Sequence, residues 1–168
     1  MILLLDERQR KELAQYSPYI AIPKVSSQNR RYIPMDYLEG EIIPGDKLFT
    51  MPSATSYEFG KLMSNVHMAW TRAVCGRLKS DYSYSNMIVY NNFPWPSPTK
   101  AILNARALYP DSNLADLYDP LTMPTELLKA HKANNRAVMH AYGFSIKMSE
   151  ADCVAELMRM YQKLTKEK

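Results

Sequence analysis

Apolar and polar positions change rhythm along this chain, and the change divides it near Trp95. Before that point, short apolar runs punctuated by proline and glycine predict strands around one helix. After it, apolar positions recur at helical spacing between proline turns. Residues 5–15 read as a charged helical segment that Tyr16-Ser17-Pro18 ends. Tyr19 to Val25 reads as a strand, with Pro23 pointing to an edge or a bulge. Ser26 to Arg31 is a polar loop carrying paired arginines. Tyr32 to Met35 and Asp46 to Met51 are further strand candidates, with a turn at Pro44-Gly45-Asp46.

Residues 55–75 give the clearest helix of the first half. Phe59, Leu62, Met63, Val66, Trp70, Ala73 and Val74 fall on one face, and Gly76 stops it. Arg77 to Asp81 reads as a polar loop, and Tyr82 to Ser85 and Met87 to Tyr90 as extended. The prolines of Asn91 to Pro96 exclude helix and central strand alike. Ser97 and Pro98 then start a helix with Ala101, Ala105 and Leu108 on one face, and Pro110 ends it. A short turn runs from Ser112 to Tyr118. Pro124 opens a helix through Tyr142, with Gly143 as its cap. Ser149 to Asp152 resembles a capping box, ahead of an apolar face of Val154, Leu157, Met158, Tyr161 and Leu164.

The elements predict an α+β fold. A small mixed sheet with a long helix occupies residues 1–96, and a helical domain occupies 97–168. A chain of 168 residues, 46% hydrophobic and 23% charged, can bury a core without staples. Cys75 and Cys153 stand far apart, which sets aside a disulfide scaffold and favours a reducing compartment, the cytoplasm. His67, His131 and His140 do not join them at zinc spacing, so no metal site is expected. The apolar start, Met1 to Leu5, is too short for a signal peptide or a membrane span. A net charge of +4 permits a nucleic-acid partner without requiring one.

Nothing in the chain resembles a complete enzyme. There is no nucleophile motif, phosphate loop or dinucleotide fingerprint. Glu150 with Asp152, and Asp116 with Asp119, fit capping and solvation better than acid–base work, and His67 beside Trp70 fits a packed histidine. The polar loops carry more. Arg30 and Arg31 behind Ser26 and Ser27 supply donors for phosphate oxygens, or form an ordinary solvated turn. Lys79 could donate to the O6 and N7 of guanine and Asp81 accept from the N4 amine of its cytosine; a plain Lys–Asp surface pair is the alternative.

Several ordered blocks resemble one family: Pro23 to Pro34 (PKVSSQNRRYIP), Ser56 to Ser85, Val89 to Pro96 (VYNNFPWP), Ala105 to Pro124 and Glu126 to Phe144. It is the MmeI-like group of SAM-dependent DNA adenine methyltransferases, which includes single-chain restriction-modification enzymes. The resemblance covers nearly everything from Tyr19 onward and matches only the C-terminal part of such proteins: the target recognition domain and the C-terminal helical domain. It implies that SAM and the chemistry belong to a methyltransferase domain absent from this chain. The Asn-Pro-Pro-aromatic motif of that domain is missing too, since Asn91-Asn92-Phe93-Pro94 has the wrong order.

The resemblance further implies that Lys79 and Asp81 are the variable pair reading one base pair, with a G·C read fitting their chemistry. Ser26, Ser27, Asn29, Arg30, Arg31, Arg77, Tyr82 and Tyr84 become candidates for DNA contact, core packing being the alternative for the tyrosines. The implied partners are double-stranded DNA and the methyltransferase domain of the same parent, which would make the parent a site-specific DNA adenine methyltransferase with or without a fused endonuclease. Cut away from that neighbour, the fragment could expose an apolar face and dimerise. The family carries a longer helical stretch between its FPWP and ARALYP blocks, where this chain has only Ser97 to Asn104. A helical protein-interaction module of a phage-defence assembly, without base readout, is the alternative from another class. RNA binding lacks support, because no aromatic single-strand platform is present.

Overall fold

The computed structural model describes residues 8, 18–38, 42, 44–95, 117–119 and 121–166. The expected helices over 5–15 and from Ser97, and most of the 112–118 turn, lie outside them. The described elements are small antiparallel sheets with helices, an α+β arrangement.

The first sheet has the order β3-β1-β4, from β1 (Tyr19–Pro23), β3 (Asp36–Leu38) and β4 (Leu48–Pro52). Ile20 faces Met51 and Ile22 faces Phe49 across the central pair, and these side chains enter the main core. The alternate residues, Tyr19 and Ala21, are buried as well, as befits a central strand. The strand expected to run to Val25 breaks at Lys24. Past Pro23, the pair β2 (Val25–Ser26) joins a second sheet of order β2-β6-β5, with β5 (Gly76–Leu78) and β6 (Asp81–Ser83). Pro23 therefore marks the point where the chain changes sheets.

Other expectations are corrected. Tyr32 to Met35 is buried but is not a strand; pairing begins at Asp36. Pro34 has no amide to give a ladder, and Met35 N donates back to Ile33 O at 2.8 Å in a tight turn. Met87 to Tyr90 is not extended: Asn86–Tyr90 forms a single π-helical turn, closed by Asn91 N on Asn86 O at 2.9 Å and capped by Ser85. The loop expected over Arg77 to Asp81 is a β-hairpin.

The helix expected over 55–75 is two. Thr55 and Glu58 form a capping box before α1 (Ser56–Leu62), and Ser64 caps α2 (Asn65–Val74) by accepting from His67 N at 3.2 Å. The apolar stripe continues through the break, which is why periodicity alone joins them. Ser64 turns its amide to Lys61 O rather than to Gly60 O. Lys61, in α1, is buried with Nζ over the Tyr57 ring, and burial lowers its pKa to about 8.

The second half contributes α3 (Thr125–Ala141) and α4 (Glu150–Lys166). Gly143, at φ +70°, closes α3: its amide reaches His140 O at 2.9 Å while Phe144 N reaches Met139 O at 2.8 Å. Ser149 caps α4 through Asp152 N at 3.1 Å. Along α4, Cys153 and Leu157 are buried and Met158 and Tyr161 pack against the core, Tyr161 with its ring centre 6.1 Å from that of Trp70, while Leu164 is exposed, so the apolar face is used as far as Tyr161.

The halves share one apolar core, which Leu127, Val138 and Met139 of α3 and Cys153 and Leu157 of α4 enter, and a polar set of contacts lies beside it. On α3, His131, Asn134 and Asn135 share one face and meet the break between α1 and α2. Asn134 Nδ2 donates to Gly60 O at 2.6 Å. Asn135 Oδ1 accepts from Asn65 N at 2.8 Å, and His131 Nδ1 lies 3.2 Å from Met63 O. The backbone groups that the break releases are thus satisfied by one turn of another helix.

Candidate nucleic-acid interface

The second sheet brings the two polar segments together. Val25 pairs with Ser83 and Ser26 with Tyr82, while Arg77 pairs with Tyr82 and Leu78 with Asp81. Directly opposed residues share a face. Ser26, Tyr82 and Arg77 therefore lie on one side, and Val25, Ser83, Gly76, Asp81 and Leu78 on the other. The first side is covered: Ser26 and Tyr82 are buried, and Arg77 lays its guanidinium 4.2 Å from the Tyr82 ring centre. The second side is open, with Leu78 and Val25 both exposed.

Lys79 and Ser80 form the two-residue turn between β5 and β6. Lys79 is exposed and has φ +55°. A positive φ at the first turn residue suits the right-handed twist of a hairpin, but for a residue with a Cβ it costs about 1–2 kcal/mol. Arg77 Nη1 donates to Ser80 O at 3.1 Å and braces this turn. Asp81, half-buried, accepts the amide of Gln28 at Oδ1, 3.3 Å away.

The arginine loop is folded on itself. Asn29 N donates to Ser27 Oγ at 3.3 Å, and Arg30 N to Ser27 O at 3.2 Å. Asn29 and Arg31 are exposed, and Ser27 and Arg30 are half-buried. At its far end, Arg72 of α2 donates Nη2 to Arg31 O at 3.3 Å and Nη1 to Glu150 Oε2 at 3.0 Å. Tyr32 follows, stacked on His131 with ring centres 4.0 Å apart, its hydroxyl accepting from Asn135 Nδ2 at 2.8 Å.

Of the residues singled out in the sequence, Lys79, Asp81 and Arg77 lie on the hairpin, and Ser27 and Asn29 follow β2 beside Asp81, whereas Arg30 lines a hollow with Ala21, Pro34 and Asp36 on the first sheet's side and Arg31 lies by Arg72 and Glu150. Three others are covered. Ser26 is buried, with no partner for its Oγ. Tyr82 lies under Arg77. Tyr84 is a core residue whose hydroxyl sits 2.9 Å from His67 Nε2. Gln28 and Arg72 gave no sequence signal, since their roles arise from long-range pairing. Asn134 and Asn135 did leave one: consecutive asparagines inside a helix are poor helix formers and call for a side-chain task.

Among the described residues no group of histidine, cysteine or acidic side chains could hold a metal, and no helix is long and apolar enough to cross a membrane. Glu150 and Asp152, weighed as an acid–base pair, are spent on Arg72 and on the α4 cap.

Residues 5–97 match the family described as MmeI, target recognition domain, and residues 97–167 match MmeI, C-terminal domain. DNA methyltransferase A of Bacillus subtilis (strain 168) is 38% identical over 168 residues, which cover 94% of this chain and 19% of that protein. A solved structure of the type IIL restriction-modification enzyme MmeI in complex with DNA is 43% identical, with a TM-score of 0.83 over 89% of this chain and 22% of that one. The chain spans about a fifth of the length of these relatives.

Proposed function

We propose, because the chain belongs to the MmeI family and carries its target recognition and C-terminal domains, that it is the part of a restriction-modification protein that reads double-stranded DNA. Residues 1–96 present the reading surface, and residues 97–168 hold it. The solved MmeI relative is in complex with DNA, which supports that partner for this chain. The full-length protein is a SAM-dependent adenine methyltransferase acting in the cytoplasm, and its methyltransferase domain is the second partner.

One observation carries the reading. The turn residue of positive φ at the hairpin tip is a lysine, and the next residue but one is a carboxylate whose Oδ1 accepts from Gln28 N. Backbone strain at a non-glycine residue is found where side-chain function outweighs stability. The Lys79 ammonium donates to O6 and N7 of guanine, and the Asp81 carboxylate accepts from cytosine N4, so one G·C pair is read from both strands. Arg30, Arg31, Asn29 and Ser27 take the neighbouring phosphates and fix the register.

Methylation-site mapping in cells carrying the full-length protein tests this. The Lys79→Glu, Asp81→Arg double variant is expected to alter or relax one G·C position of the methylated motif. An unchanged motif would remove the pair from base reading and favour an interaction module without readout.

A further inference from the structure

We infer that Arg72 is a positioning residue for DNA recognition, through which the C-terminal helices set the arginine loop; this rests on the reading proposed above. Loop residues Ser27 to Arg31 are held at both ends. One end is the β2–β6 pairing and the Gln28–Asp81 bond, both within the recognition half. The other is a set of contacts that reach into the second half. The Arg72 guanidinium is a fork: one nitrogen holds the Arg31 carbonyl and another the Glu150 carboxylate at the start of α4. Next to it, Tyr32 is clamped by His131 and Asn135 of α3.

The chemistry of the fork assigns its purpose. The Arg72–Glu150 pair is partly exposed, with side-chain exposures of 31% and 53%, and such a pair adds little to stability. Its geometric effect is larger. A carbonyl held from outside restrains the Arg31–Tyr32 peptide, and with it the direction in which Arg31 leaves the backbone at the end of the loop. A planar guanidinium holds two acceptors at a set angle, which a lysine cannot do.

The test uses the full-length protein and a duplex carrying its mapped methylation site, beside a duplex without it. Arg72→Lys keeps the charge and loses the fork; Glu150→Gln keeps the shape and loses the anchor. Each is expected to weaken site-specific binding about tenfold while leaving the melting temperature unchanged. Neither is expected to have a further effect in an Arg30→Ala, Arg31→Ala background. If Arg72→Lys binds as the parent does while Arg72→Ala is weak in both backgrounds, Arg72 is a direct phosphate contact and the inference falls. Unchanged binding in Arg72→Lys and Glu150→Gln overturns it as well. If the Arg30→Ala, Arg31→Ala protein itself binds normally, the DNA reading of this loop has failed, a separate result.

Discussion

The backbone amide of Gln28 donates to Oδ1 of Asp81 at 3.3 Å, joining the arginine loop to the hairpin tip across segments far apart in sequence. The carboxylate is a strut for the loop, and under the function proposed above it is a base-reading acceptor as well. The two uses can be separated. Asp81→Asn keeps an acceptor for Gln28 while adding an amide donor toward the base. It is expected to retain overall DNA affinity and lose selectivity at the pair read by Asp81, by about 1–3 kcal/mol. Asp81→Ala is expected to lose both. Binding measured against duplexes varied at that position checks the split.

Lys79→Gly is expected to move stability and function in opposite directions. Glycine accepts a φ of +55° without a Cβ penalty, so urea unfolding should show a gain of up to about 1 kcal/mol. The same change removes the guanine donor, and the methylated motif should relax at one position.

Asn134→Ala is expected to destabilise the fold by about 1–3 kcal/mol, because the buried Gly60 carbonyl loses its donor. The loss should appear as one cooperative transition covering both halves. Two separated transitions in calorimetry would show that the seam does not couple them.

Acid stability should carry the signature of His67. Burial holds its pKa down from 6.5 to about 3. Above pH 6.5 the imidazole is neutral in both folded and unfolded chains, and its full contribution is present. Between pH 6.5 and 3 the unfolded chain takes up a proton that the folded one refuses. Stability then falls with a slope of up to about 1.4 kcal/mol per pH unit from this group. His67→Gln should flatten the pH dependence in that window, and equal slopes for the two proteins would refute the assignment.

The sequence made some of this legible and hid the rest for physical reasons. Gly143 and Ser149 announced the end of α3 and the start of α4 because caps are local chemistry. The break at Ser64 was hidden because its neighbours keep the apolar stripe, and the groups that stabilise it lie on α3. Met87 to Tyr90 looked extended because consecutive apolar residues fit a strand as well as a π-helical turn, and only Ser85 decides. At the proposed interface, residue chemistry and family resemblance pointed to Lys79 and Asp81, and the structure adds that they lie on one hairpin. The positive φ of Lys79, the Gln28 bond and the Arg72 fork could not be foreseen, since each is a property of the assembled backbone.

The change of sheets at Lys24 has a consequence for motion. The central strand of the first sheet, β1, and the first strand of the second, β2, are one stretch of backbone, and Lys24 O accepts from Tyr84 N at 2.8 Å just beyond β6. Freeing the second sheet therefore means pulling on a central strand buried on both faces. The amide of Tyr84 should exchange its hydrogen with solvent only as fast as the whole domain opens. The hairpin tip a few residues away is held only by exposed contacts, Arg77 to Ser80 O and Gln28 N to Asp81, and its amides should exchange sooner: a pointer mounted on a foundation that yields last.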